Sequence, residues 1–130
     1  MAERKAQYNF SDFNSKLQVE KIKDLKIIII TDSLTSSAAE LCTAFFVSAF
    51  PEQTVIIGEN SNGCSDFGGV WNYWLPNSGI FLFVSYTDNR ASKLMTSESV
   101  LQKWQGDTKG FKPDFVVHPD SLDAALQYFR

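Results

Sequence analysis

Two short apolar runs, Ile27-Ile28-Ile29-Ile30 and Val55-Ile56-Ile57, flank a stretch in which apolar residues recur at helical spacing. Four consecutive isoleucines without polar alternation predict a strand over residues 26–31 that is covered on both faces. The polar cluster Thr31-Asp32-Ser33-Leu34-Thr35-Ser36-Ser37 ends that run and supplies N-cap side chains for a helix. That helix is predicted over residues 36–50, with Ala38, Leu41, Cys42, Phe45, Phe46 and Ala49 as its apolar face and Pro51 closing it. The second run then forms a buried strand ending at Gly58. Strand, helix and strand in this order suit a right-handed crossover between two parallel strands.

Beyond Gly58 the pattern changes. Residues 59–69 are polar and glycine-rich with no apolar periodicity, which predicts a long loop carried on a rigid strand. Residues 70–75 and 80–86 flank Pro76-Asn77-Ser78-Gly79, a turn composition that predicts a β-hairpin. Trp71, Tyr73 and Trp74 lie in its first arm, and Phe81 and Phe83 share one face of the second. Rings of that number on one hairpin call for cover on both faces. The expected cover is this chain's own helices, a second copy, or a part of the fold that these residues do not include. Residues 87–112 read as loop with a short helix near 97–104, Phe115-Val116-Val117 as a last strand, and residues 121–129 as a terminal helix capped by Ser121. Ahead of the first strand, residues 1–9 read as a frayed lead-in and residues 10–25 as a short amphipathic or irregular segment.

Composition narrows the function classes. The 130 residues suit one domain, placed at 10–130, with 44% hydrophobic and 21% charged residues as in ordinary globular chains. A formal net charge of -3 offers no basic patch for nucleic acid or an anionic membrane. Cys42 and Cys64 form no Cys-x-x-Cys pattern, and His118 is the single histidine, so neither a disulfide framework nor a metal site is expected. The opening residues lack an apolar signal region, and no apolar run approaches membrane-spanning length, so the chain reads as soluble, with no compartment assigned.

The candidate chemistry sits where the first strand gives way to the helix. Ser36 and Ser37 fall at a helix N-terminus, where hydroxyls, free backbone N–H groups and the positive end of the helix dipole meet. On residue type alone this stretch is a helix start capped by Thr35 or Ser36, an element of an anion site, or the seat of a serine nucleophile whose oxyanion the Ala38 N–H helps to hold. The chain has neither a P-loop Gly-Lys signature nor a G-x-G-x-x-G, which leaves phosphate binding the least supported of the three.

A resemblance separates the remaining two. Thr35-Ser36-Ser37-Ala38-Ala39-Glu40, then Val55-Ile56-Ile57-Gly58-Glu59-Asn60-Ser61-Asn62-Gly63, then the hairpin with its Leu75-Pro76-Asn77-Ser78-Gly79 turn, then Gly110-Phe111-Lys112-Pro113-Asp114-Phe115-Val116-Val117, stand in fixed order. The series resembles the carboxyl-terminal-processing (tail-specific) serine peptidases and their tricorn-like relatives, over about residues 26–129. The resemblance implies an α/β fold of the ClpP/crotonase type, built of stacked β-β-α units and here partial, corresponding to the C-terminal half of the catalytic core. It implies peptide-bond hydrolysis on a peptide or protein substrate without a cofactor, with Ser37 as nucleophile and the Ala38 N–H as one oxyanion donor.

Two departures stand beside it. Cys64 occupies the position of the family's lysine base, and a thiol with an ordinary pKa of about 8.5 accepts the serine proton poorly. Nothing before Ile27 matches the family's D-L-R-x-N-x-G-G segment, whose glycine backbone completes the oxyanion hole. Asp66 and Asp88 are candidates for a tricorn-like relay, His118 reads as a strand-end histidine, and Gly63 is a place where a substrate strand could approach the loop. The alternative expectation is a non-catalytic domain of the same fold that binds peptide or protein.

Overall fold

The computed structural model describes residues 25–127. The lead-in expected over 1–9 and all but the last residue of the segment expected over 10–25 lie outside the described residues. Element order is β1 (Ile27–Thr31), α1 (Ala38–Ala49), β2 (Thr54–Gly58), β3 (Phe67–Trp74), β4 (Phe81–Asp88), α2 (Glu98–Leu101), β5 (Phe115–Val116), a 3-10 turn (Pro119–Ser121) and α3 (Leu122–Gln127).

β1 and β2 are parallel in the register Ile27↔Thr54 to Thr31↔Gly58, and β5 joins the far side of β2 through Ile57↔Phe115 and Gly58↔Val116. The strand–helix–strand expectation therefore holds for the order and direction of its strands. β1 differs in its cover. It forms an edge of the three-stranded sheet among the described residues, Ile27 to Ile29 are half-buried and Ile30 is 48% exposed. A run of isoleucines encodes β propensity, and propensity does not say how many neighbours a strand acquires.

The core lies between the sheet and α1. Ala44 and Val47 of α1, Ile56 of β2, and Met95, Val100 and Phe111 from later segments are buried together, with Ile29, Leu41, Leu94 and Trp104 packed against them. Ile29 and Ile56 are register partners, so their side chains share the sheet face that α1 covers. The buried side of α1 is Glu40, Thr43, Ala44 and Val47, not the predicted face: Ala38 and Cys42 are exposed, and Leu41, Phe45, Phe46 and Ala49 are half-buried. This helix is apolar over most of its circumference, so periodicity alone did not single out the side that meets the core.

The hairpin forms with Trp74↔Phe81 flanking the turn and Phe67↔Asp88 at its far end. It is a separate two-stranded sheet, and Trp71, Tyr73, Trp74, Phe81 and Phe83 are all exposed. Cover by this chain's own helices is therefore not what the described residues show. The later loops are fixed by their own devices. A bridge joins Trp104 to Phe111, and Asp114 accepts from the Ile56 N–H at 2.8 Å while its own N–H returns a bond to the Ile56 carbonyl at 2.8 Å. Lys103 pairs with the same Asp114 carboxylate.

Candidate functional site

The site grows from the end of β1. Thr31 is buried and its hydroxyl donates to the Glu59 carbonyl at 2.7 Å, while the Glu59 N–H bonds the Thr31 carbonyl at 2.9 Å, so the ends of β1 and β2 are clamped together. Asp32 then turns the chain. Its Oδ1 accepts from the Leu34 and Thr35 N–H groups and from the Thr35 hydroxyl, an Asx-type turn in which the Thr35 hydroxyl and the two backbone donors hold the carboxyl below its ordinary pKa.

Ser37, one or two residues past the expected cap at Thr35 or Ser36, closes this turn as the N-cap residue of α1, with φ 53° and ψ -114°. That backbone region suits glycine, and a non-glycine residue held there stores strain. What holds it is Glu40, three residues on. The Glu40 carboxylate is fully buried and accepts five hydrogen bonds. Oε2 takes the Ser37 N–H at 3.0 Å, the Cys64 N–H at 2.8 Å and the Ser65 hydroxyl at 2.8 Å. Oε1 takes the Ser61 hydroxyl at 2.6 Å and the Gly63 N–H at 2.7 Å. Burial alone would push this carboxyl up; the donors from Ser61, Cys64, Ser65 and Gly63 together outweigh it and bring its pKa below the ordinary value.

The polar loop after β2 is thereby drawn along the N-terminus of α1. Asn62 adds two further ties, its N–H to the Thr35 carbonyl at 2.8 Å and its side-chain amide to the Ser33 carbonyl at 3.1 Å. The other side of the loop rests on residues 104–111. The Ser61 hydroxyl accepts from the Phe111 N–H at 2.7 Å, Asp107 Oδ1 accepts the Ser65 and Asp66 N–H groups at 2.8 and 2.9 Å, and the Gly63 carbonyl accepts from the Thr108 N–H at 2.8 Å. Gly63, expected as an approach for substrate, is buried, and the backbone nitrogens of Thr108, Lys109 and Gly110 occupy the space where its Cβ would stand. The chain's own backbone takes that approach.

Ser37, Ala38 and Cys64 are exposed around this buried node. Among the described residues the Ala38 N–H has no acceptor, as expected for the first helical residue, so it remains a donor at the positive end of the α1 dipole. No titratable side chain hydrogen-bonds the Ser37 hydroxyl among the described residues. Glu40 is poorly suited to act as a base, because an ionised carboxylate already accepting five bonds loses them on protonation. The relay candidates are engaged elsewhere. Asp66 accepts from the Trp104 indole N–H at 3.2 Å, and Asp88 is paired with Arg90, whose hydrogen bonds hold its pKa at about 2. His118 is exposed and lies beside Asp120 at 3.3 Å.

The residue that sequence reasoning passed over is Glu40. Its signal was present: Ser37-x-x-Glu40 is the spacing of a capping box, in which the glutamate side chain reaches back to the N-cap N–H. Ser61, Ser65 and Asp107 had no comparable signal, because their roles come from contacts between segments far apart in the chain. A concavity of about 210 Å³ lies elsewhere, on the hairpin, lined by Trp71, Tyr73, Val84 and Tyr86. No group of His, Cys, Asp and Glu side chains suited to a metal occurs among the described residues, and none of their helices is long and apolar enough to cross a membrane.

No family model, curated protein or solved structure matches the chain.

Proposed function

We propose that this chain is a catalytic-domain segment of a serine-type peptidase, of the tail-specific kind and with a partial ClpP/crotonase-like core, in which Ser37 attacks a peptide carbonyl. The observation that carries the reading is the backbone of Ser37: an exposed serine at positive φ on a sharp strand-to-helix turn, fixed there by a buried carboxylate. Serine nucleophiles on other folds use strained strand-to-helix turns of this kind to present the hydroxyl. A simple cap does not need that strain, since cap residues ordinarily sit in extended backbone. In this reading Ser37 Oγ bonds to the substrate carbonyl carbon while its proton passes through solvent water to the amide nitrogen. The carbonyl oxygen becomes an oxyanion beside the Ala38 N–H, and the C–N bond breaks to release the amine; water then hydrolyses the acyl-serine, freeing the acid and restoring the Ser37 hydroxyl. Glu40 acts through Ser37 and the Gly63-Cys64 backbone and is a positioning residue.

Turnover of unstructured quenched-fluorescence peptides by the 130-residue chain tests the proposal. Hydrolysis that disappears in Ser37→Ala supports it; hydrolysis retained in that variant contradicts it.

One observation favours a second reading. Cys64 stands where a lysine base would be, and no titratable side chain bonds the Ser37 hydroxyl among the described residues. A domain with this fold and without a base binds peptide or protein instead of cleaving it. Peptide retained on the chain with no turnover separates that reading from the first.

A further inference from the structure

The hairpin is apolar on both faces. Alternation and the register Trp71↔Val84 and Tyr73↔Leu82 place Trp71, Tyr73, Leu82, Val84 and Tyr86 on one face. Val70, Asn72, Trp74, Phe81, Phe83 and Ser85 occupy the other. An isolated two-stranded sheet is marginal in water, and one with large rings exposed on both sides is a surface awaiting cover.

We propose that the first of these faces is a self-association surface and that its occupant is the same face of a second copy of this chain, related by a two-fold axis. Three observations select that occupant. The first is charge: residues 67–87 carry no ionisable acid or base other than tyrosine, and the charges at the hairpin's far end, Asp88 and Arg90, are paired with each other, so two copies meet there without net repulsion. The second is area. At 41–64% exposure the five side chains of this face leave about 500 Å² in water, so apposing two copies buries on the order of 1,000 Å², where specific interfaces begin. The third is shape. This face holds the hollow between Trp71, Tyr73, Val84 and Tyr86, with the Trp71 and Tyr86 rings edge to face at 5.9 Å, so the same patch offers both a recess and exposed aromatic edges to its copy. The opposite face carries Asn72 and Ser85, whose polar groups would need partners in a dry contact.

The inference is independent of the peptidase reading. Its test is light scattering coupled to size exclusion on the unmodified chain over a concentration series, with hydrogen exchange measured on the same samples. The expected result is a mass rising from 14.6 kDa toward twice that value, with exchange slowing over residues 69–88 as concentration rises. Val84→Lys on the proposed face is expected to return the chain to the monomer mass, while Phe83→Lys on the other face leaves the dimer intact. A monomer at every concentration, open-ended aggregation, a dimer whose exchange protection lies outside the hairpin, or equal loss of the dimer in both variants would overturn it.

Discussion

The backbone N–H groups of Ser37 and Cys64 end on the same atom, Oε2 of Glu40, at 3.0 and 2.8 Å, which places the two backbone nitrogens within about 6 Å of each other. Two residues 27 positions apart by their numbers in the chain are thus held as neighbours by one buried carboxylate. The proposed nucleophile and Cys64 share a single support, and disturbing that support moves both.

Replacing Glu40 by Gln keeps the volume and turns one acceptor oxygen into a donor that faces N–H and O–H groups. The buried Ser61, Gly63 and Ser65 donors cannot all be satisfied afterwards. The expected cost is about 3 kcal/mol, read from urea denaturation, or a fall in melting temperature of roughly 10 °C. An unchanged urea midpoint would show that Glu40 does not hold the fold together.

The same carboxylate sets an acid limit. Its folded pKa lies below the ordinary value of 4.5, so its stabilising contribution is complete above that pH and is lost as pH falls through the depressed folded value. Asp32 and Asp88 are lowered too and add to acid loss. Subtracting the Glu40→Gln profile isolates Glu40: the stability difference between the two proteins is expected to be flat above about pH 5 and to shrink below it. A difference that grows on acidification contradicts the assignment.

Ser37 carries backbone strain that glycine would not. Ser37→Gly is expected to stabilise the chain by up to about 1 kcal/mol, the small loss in capping being outweighed by relief of the positive φ. Ser37→Ala keeps the Cβ and loses the hydroxyl, and is expected to be less stable than the parent. The order of urea midpoints, glycine above serine above alanine, checks the geometry independently of any activity.

Gly63 and Gly79 separate conformation from packing. Both have positive φ, but a Cβ at Gly63 would come within 2.5–2.6 Å of the backbone nitrogens of residues 108–110, and one at Gly79 would meet nothing within 4 Å. Gly79→Ala is expected to cost about 1 kcal/mol and Gly63→Ala several times that. Equal costs would mean that the 59–66 loop is not pressed against residues 108–110.

The range of each interaction decides how much of it is legible in the chain. The Ile27–Thr31 and Thr54–Gly58 strands, the crossing helix and the hairpin about Pro76-Asn77-Ser78-Gly79 are written in local propensity and turn chemistry, and their positions agree with the sequence to within a few residues. The buried side of α1 was not legible, because a helix apolar nearly all round has its inward face chosen by partners such as Ile56 and Phe111 that lie far along the chain. The exposure of the hairpin was not legible either: Trp71 and Phe83 signal a need for cover and say nothing about its source. At the site, Ser37 and Ala38 were visible as a helix start. The convergence of Ser61, Gly63, Cys64 and Ser65 on Glu40 was hidden, since only the Ser37-x-x-Glu40 spacing is local.

The central claim is that Ser37 is a nucleophile presented by a strained turn. The most direct measurement is intact-mass and peptide-level analysis after exposure to a fluorophosphonate probe, with Ser37→Ala as the control. One phosphonyl adduct is predicted, on the peptide carrying Ser37, and none in the variant. An unlabelled folded chain, or labelling that survives Ser37→Ala, would contradict the claim.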